Sequence, residues 1–494
     1  MSQQTPGSTG GPTDPTNSRG TGRRTVLTAA AGTAALGTAL TAVGAPPAAA
    51  AERTPDRERT PDRDRPATAQ APTRELRALL ADIDRDRIEA TVRTLASFGT
   101  RHTLSSQDDP KRGIGAARDW IHAELKRYAA RSGGRMTVEL QSYIQEPAPR
   151  IPVATRITNV VATLRGSTAP DRVYVVSGHY DSRATDVMDA VSDAPGADDD
   201  ASGVAVAMEL ARVMATRRPG ATIVFAAVAG EEQGLFGAAH MAQKFKEAGV
   251  DLQGMFTDDI VGSPTADDGT RDPHTIRLFA EGVPTSETPE QAATRRSVGG
   301  ENDSPSRQLA RFVRDVAGNE ATGMHVRVVY RRDRYLRGGD HIPYLERGFP
   351  AARFTEPAED FAHQHQDVKV LDGKQYGDLP EFCDFGYIAR VAKVNGAALW
   401  TLAQAPGTPK GAKILTSALT NATELVWERG TEPDLAGYEV VWRETTEPEW
   451  THVVRAGDTT RHTVDLSKDN VFFGVRALNR AGLRSPVAFP APQR

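Results

Sequence analysis

Two uncharged apolar runs constrain the fold of this chain most: Val173-Tyr174-Val175-Val176 and Thr222-Ile223-Val224-Phe225-Ala226-Ala227-Val228. Each reads as a strand buried on both faces, because a strand with one face in water alternates apolar and polar residues. Between them Val206, Leu210, Val213 and Met214 keep helical spacing over residues 202–215, which predicts a helix. Strand, helix and strand in that order suggest a parallel pair with helices on both faces. Strand patterns at residues 137–143 and 158–164 precede the pair. Earlier still, Leu76, Leu79, Leu80, Ile83, Ile88, Val92 and Leu95 keep helical spacing, as do Ala116, Trp120, Ile121 and Leu125. The expected fold is α/β: a mixed, largely parallel sheet sandwiched by helices, plus a small all-β sandwich domain.

The domain plan follows from shifts in composition along 494 residues, too many for one core. Residues 1–51 open with Gly, Ser, Thr and Pro, continue through Arg23-Arg24-Thr25-Val26-Leu27 and an Ala/Leu/Gly run, and end in Ala48-Ala49-Ala50-Ala51. This resembles a twin-arginine export signal cleaved near residues 49 to 51, which implies a secreted, extracellular protein. Gly and Thr interrupt the apolar run, so no stable membrane insertion is expected after cleavage. Residues 52–73, with Thr54-Pro55-Asp56-Arg57 repeated as Thr60-Pro61-Asp62-Arg63, have little apolar surface to bury and read as a disordered linker. Residues 74–404 form the expected α/β domain. Within them, residues 263–307, rich in Asp, Thr and Pro, read as a loop near the cleft. Beyond Gln404-Ala405-Pro406-Gly407-Thr408-Pro409, short strand patterns separated by turn residues predict a β-sandwich over 405–494. Leu425-Val426-Trp427, Leu435-Ala436-Gly437-Tyr438-Glu439-Val440 and Phe473–Asn479 with Gly482 resemble the fibronectin type III pattern, with Trp427 as its core tryptophan. Trp442 and Trp450 are either exposed contacts or packed edges. A spacer role, or contact with a cell surface or polymer, is the expectation for this domain.

Charge narrows the function. Sixty Lys and Arg stand against 64 Asp and Glu, a balance without the basic excess of a nucleic-acid binder. The one cysteine, Cys383, permits neither a disulfide framework nor a thiolate metal site, so a metal would be held by His, Asp and Glu. Five stretches offer them. His179-Tyr180-Asp181 ends a buried strand with both odd residues on one side, where a carboxylate can orient an imidazole, although a polar pair at a strand end is ordinary. Ala197-Asp198-Asp199-Asp200-Ala201-Ser202-Gly203 suits helix capping, but three crowded aspartates repel one another without a cation. Gly230-Glu231-Glu232 places two carboxylates directly after a buried strand, one suited to a metal and one to proton transfer. Asp258-Asp259 and His363-Gln364-His365-Gln366-Asp367 complete the set. Together they meet the demand of two divalent cations sharing one carboxylate.

In this order and spacing the motifs resemble the co-catalytic di-zinc aminopeptidase family, bacterial secreted leucyl-aminopeptidase-like metallopeptidases, over about residues 75–404. The resemblance implies a secreted zinc metallo-exopeptidase that removes N-terminal residues from peptides with free N-termini, with two Zn2+ per chain. By motif alignment Asp199 bridges both ions, His179 and Asp259 complete one position, and Glu232 and His363 complete the other. Asp199 is chosen over Asp198 and Asp200, and Asp259 over Asp258. His363 is preferred to His365 because it stands four residues before Asp367. Glu231 is then the general base acting on the water between the metals, and Asp181 holds His179. Residues 98–103, 112–117 and 338–343 look like accessory motifs of the same group. One departure stands out: Ala362 occupies a position where some members carry an oxyanion-stabilising tyrosine, leaving Tyr335 or Tyr344 as other donors. The same scaffold hosts glutaminyl cyclases and carboxypeptidase-like hydrolases, and a binding module that kept the fold and lost the metals is a second alternative, but the complete five-ligand set and the filled base position favour the aminopeptidase.

Overall fold

A computed structural model describes residues 64–494. The expected export signal, residues 1–51, and residues 52–63 of the expected linker lie outside the described residues. The large domain is built on one eight-stranded sheet. Across the sheet the strands run Met136–Gln145, Thr155–Leu164, Ala221–Val228, Ala169–His179, Asp251–Asp258, Ala351–Thr355, Thr275–Phe279 and His325–Val329. Ala221–Val228, Ala169–His179, Asp251–Asp258 and Ala351–Thr355 are mutually parallel, and antiparallel pairings join this block to the strands on either side.

The two apolar runs fill both faces by simple alternation. Tyr174, Val176, Ile223 and Phe225 point into a core shared with the helices Ser202–Met214 and Phe385–Gln404. Val173, Val175, Val224 and Ala226 point the other way, against Ala238, Met241 and Leu345 of the helices Phe236–Glu247 and Ile342–Glu346. A period of two with both sides covered explains why these strands carry no polar face. The leading helical pattern resolves into Arg74–Ala81 and Arg85–Ala96, separated where the Asp84 carboxylate accepts hydrogen bonds from the amides of Asp86 and Arg87 and so caps the second helix.

Residues 263–307 are not the loop expected from their composition. They contain the strand Thr275–Phe279, the helix Pro289–Val298 and the start of the helix Pro305–Ala317. The residues that suggested a loop are helix-starting residues. Thr288 forms a capping box with Gln291 ahead of Pro289, and Ser304 caps the helix that Pro305 opens. The strand is only five residues long and carries Arg277 between its buried Ile276 and Leu278, too short a pattern to read.

The C-terminal part forms a four-stranded sheet and three strands of a second around Leu425, Trp427, Tyr438, Val440, Phe473 and Val475. Its edge strand His452–Gly457 pairs with Arg65–Pro66, and the Ala67 amide donates to Thr451 O at 2.8 Å. Residues 64–73 are thus ordered, contrary to the expected disordered linker. An exposed strand edge satisfies backbone groups without needing apolar side chains from the added strand. This sandwich is docked on the large domain through buried polar contacts. Arg311 and Arg443 each place a guanidinium nitrogen 2.7 Å from the Asp303 carboxylate. The Trp450 indole donates to Gln308 at 2.9 Å, and Arg172 pairs with Glu432 at 2.7 Å. Trp450 is therefore a packed interdomain contact, whereas Trp442 stacks on His452 with ring centres 3.7 Å apart. Removing one member of a buried ionic group leaves the others uncompensated. Asp303→Ala is therefore expected to cost about 3–5 kcal/mol in urea denaturation, and a change below about 0.5 kcal/mol would show that the bridge does not hold the domains together.

Candidate metal centre

Strand order creates the site. The strand ending at His179 lies between Ala221–Val228 and Asp251–Asp258, so the two connections that follow it leave toward opposite sides. A crevice opens at the carboxyl ends of strands where connections diverge in this way. His179, the Glu231-Glu232 turn and Asp259 all emerge there, and the turn Ala197–Ala201 brings in the aspartate triplet.

The three aspartates do different work. Asp200 turns inward, where its Oδ2 accepts from the His179 amide and its Oδ1 from the Gly203 amide, both at 2.9 Å. Asp198 accepts from the Gly262 amide at 2.6 Å. Asp199 faces the crevice: its two oxygens lie 3.0 Å from His179 Nε2 and 2.8 Å from His365 Nε2. Asp378 holds the triplet from behind by accepting from the amides of Asp198 and Asp199 at 2.7 and 2.8 Å. Gly203 allows the close fit, since a Cβ there would stand 2.1 Å from Asp258 O. Asp258 itself is buried and accepts from Asn395 Nδ2 at 2.7 Å, and burial pushes its carboxyl well above the usual range. Asp259, the next residue, is the one that reaches the crevice.

Two donor groups result: His179, Asp199 and Asp259; and Asp199, Glu232 and His365. Within each, one donor atom per residue lies within 4.8 Å of the others. They share Asp199. His363, expected in the second group, is not brought there. It stacks on Phe382 with ring centres 3.5 Å apart, and its Nδ1 lies 3.2 Å from Asp360 Oδ2. His365 takes the place, with Nε2 3.1 Å from Glu232 Oε1. The reason lies in the backbone: His365 has φ +52°, a left-handed turn that redirects the chain and defeats a count of residues back from Asp367. Leu235 and Ile260, just beyond the Glu231-Glu232 and Asp259 motifs, share that conformation, at φ +61° and +58°. Such backbone concentrates where surrounding structure enforces a functional geometry, and none of these residues announces it in the sequence.

Asp181 orients His179 chiefly through its backbone: His179 Nδ1 lies 3.1 Å from Asp181 O and 3.6 Å from its carboxylate. The carboxylate serves the neighbouring turn, accepting from the amides of Glu231 and Glu232 at 3.3 and 3.1 Å and from the Thr103 hydroxyl at 3.1 Å. Residues 98–103 are thus a brace. Beside Thr103, the fully buried Arg101 donates to Tyr180 O at 2.7 Å and Gly196 O at 2.8 Å, and His102 Nε2 lies 3.0 Å from Gln233 Nε2. The suggested tyrosines are placed apart from one another: Tyr344 packs in the apolar layer against Phe245 and Phe349, and Tyr335 is 76% exposed, under the Arg331 guanidinium.

The donor set suits cations. Burial together with Asp259, Glu232 and Asp340 pushes Glu231 well above the ordinary carboxylate range despite His179. Burial opposes a charge on His365, but Glu232 and Asp199 outweigh it and push its pKa up to about 10. Both oxygens of Asp340 are buried without a hydrogen-bond partner, an arrangement costly to leave uncompensated. Imidazole and carboxylate donors in two three-residue groups match zinc.

A family model described as Peptidase family M28 matches residues 159–375. A protein of Leptosphaeria maculans described as a probable zinc metalloprotease is 56% identical over 422 residues, covering 85% of this chain and 98% of the relative. The chain belongs to peptidase family M28. A second relative, a probable zinc metalloprotease of Pyricularia oryzae, is 56% identical over 431 residues, 86% of each chain. These matches are longer than the 404 residues up to Gln404, so the likeness runs into the C-terminal sandwich. Among solved structures, the LapA aminopeptidase of Legionella pneumophila gives a TM-score of 0.48 at 18% identity, covering 72% of this chain and 79% of that one. A glutaminyl cyclase of Fimbriiglobus ruber gives 0.47 at 21% identity, covering 68% and 99%.

Proposed function

We propose that this M28 chain is an exported zinc aminopeptidase that uses two zinc ions per chain and Glu231 as general base. The observation that carries the reading is the pair of donor groups sharing Asp199, with Glu231 beside Glu232 and outside both groups. His179, Asp199 and Asp259 would hold one ion, and Asp199, Glu232 and His365 the other. Zinc at such donors supplies Lewis-acid polarisation of a peptide carbonyl. Glu231 accepts the proton of the attacking water and returns it to the departing amine. Asp181 holds the backbone of Glu231 and Glu232 and, through its carbonyl, the ring of His179. The crowding of the Glu231 and Asp340 carboxyls, both pushed above the ordinary range by burial and by neighbouring acids, favours a cationic neighbour such as a substrate's free ammonium group, which supports exopeptidase action. The relatives' description as probable zinc metalloproteases supports the zinc.

Export is inferred from Arg23-Arg24 and the small-residue stretch ending at Ala51; among the described residues no helix is long and apolar enough to cross a membrane. The test uses protein purified from culture medium, with its N-terminus expected near residues 50 to 52. It should cleave aminoacyl chromogenic substrates and peptides with free amino termini, and leave N-acetylated counterparts intact. Chelation is expected to lower the rate at least about 100-fold, with recovery on adding about two equivalents of zinc. Equal cleavage of acetylated peptides would refute the exopeptidase reading. A chain that holds no zinc and hydrolyses nothing would refute the peptidase itself.

A further inference from the structure

Arg353 lies on the strand Ala351–Thr355, beside Asp251–Asp258, and its side chain is fully buried. One guanidinium nitrogen, Nη2, donates to Asp259 Oδ1 at 2.6 Å and to Asp259 O at 3.2 Å. The other, Nη1, donates to Gly338 O at 2.8 Å and lies 3.7 Å from Asp333 Oδ2. The 338–339 backbone passes directly over this pair: a Cβ on Gly339 would stand 2.7 Å from Arg353 Nη1 and 3.1 Å from Asp259 Oδ2. The loop before it is fastened at the same place, since Arg334 donates to Gly338 O and His341 Nε2 lies 2.8 Å from Arg332 O.

A charge this deep is costly unless it is paired and hydrogen-bonded, and a strand within the sheet core calls for an apolar residue. The guanidinium fork instead spans two groups that differ in role, a donor of the metal centre and a loop backbone. One nitrogen holds both the carboxylate Oδ1 and the backbone O of Asp259, which fixes the carboxylate relative to its own backbone, while the rigid planar group aims its other nitrogen at the loop, a division that a point charge does not make. We infer that Arg353 is a positioning residue that clamps Asp259 through one carboxylate oxygen, sets the affinity of the His179–Asp199–Asp259 position for its ion, and ties that position to the 331–339 loop. This rests on the metal reading above. A purely structural Arg353, neutralising Asp259 and Asp333, would affect stability but not one metal position selectively.

Zinc titration of the metal-depleted full mature chain against a chromophoric chelator separates these roles, with thermal melting of the metal-free protein as a second readout. Wild type is expected to bind two equivalents. Arg353→Met should weaken the equivalent at His179–Asp199–Asp259 by about 10–100-fold, the usual effect of losing a group that orients a ligand, and shift the other less than about threefold. Repeating the titration in a His365→Ala background, which removes the neighbouring position, identifies which equivalent is affected. Arg353→Lys should recover part of the loss, because it restores charge without the fork. Unchanged affinities, or equal weakening of both equivalents, would overturn the inference. If Arg353→Met does not fold, Asp333→Asn and Arg353→Lys decide, each expected to weaken the same single equivalent. A wild-type chain that binds no zinc overturns the underlying metal reading, an outcome distinct from a wild type that binds two and ignores Arg353.

Discussion

Glu231→Gln is expected to lower kcat by about 10²–10⁴-fold, the usual contribution of a positioned general base, while both zinc equivalents remain bound. The substitution keeps the size and shape of the side chain, replaces one acceptor oxygen with an amide donor, and removes the negative charge and with it the ability to accept a proton. Glu231 belongs to neither donor group, so its neutral counterpart should not release an ion. Its amide is held by Asp181 Oδ1 at 3.3 Å, an anchor on backbone that the substitution does not touch. Steady-state hydrolysis of an aminoacyl chromogenic substrate, run beside metal analysis of the same sample, gives the answer. Activity within tenfold of wild type would remove Glu231 from the proton-transfer role. Loss of zinc in parallel with activity would instead make it a ligand.

His365→Ala is expected to lose one zinc equivalent and at least about 100-fold in activity, whereas His363→Ala should keep both equivalents and most of its rate. His365 Nε2 stands 2.8 Å from Asp199 and 3.1 Å from Glu232, and nothing else among the described residues completes that donor group. His363 packs flat on Phe382, so its truncation removes surface packing and a contact with Asp360. The opposite result, with His363→Ala losing the ion, would require the 361–366 segment to turn the other way in the loaded protein. Equal effects of both variants would point to disruption of the segment as a whole.

How much of this was legible beforehand depended on whether a signal was local. The paired apolar runs carry their own reason for being buried parallel strands, since period-two side chains with no polar member leave no face for water. Residues 275–279 carried no comparable signal: five residues around an arginine do not differ in pattern from a loop. The same chemistry that reads as turn-forming, Thr288-Pro289 and Ser304-Pro305, served as helix starts, because Pro at the first helical position loses no hydrogen bond. Order in residues 64–73 was invisible because it comes from contacts distant along the chain: Arg65–Pro66 pair with a strand edge nearly 390 positions away, and Thr68 and Gln70 bond to Arg484 and Asp315.

The sequence by itself determined the α/β class, the sandwich at the C-terminus and the inventory of donors, because strand periodicity, helix spacing and the chemistry of His, Asp and Glu are properties of neighbouring residues. It also singled out Asp199 and Asp259 only by alignment of motifs, with Asp198, Asp200 and Asp258 equally acidic. Tertiary structure separated them: Asp200 and Asp198 spend their carboxylates on backbone amides, Asp258 on Asn395, and Asp199 and Asp259 are left facing the crevice. It alone chose His365 over His363, through a left-handed residue that no side-chain pattern encodes. And it alone brought Arg353 to Asp259 across 94 positions, a pairing set by strand order, which a linear chain does not display.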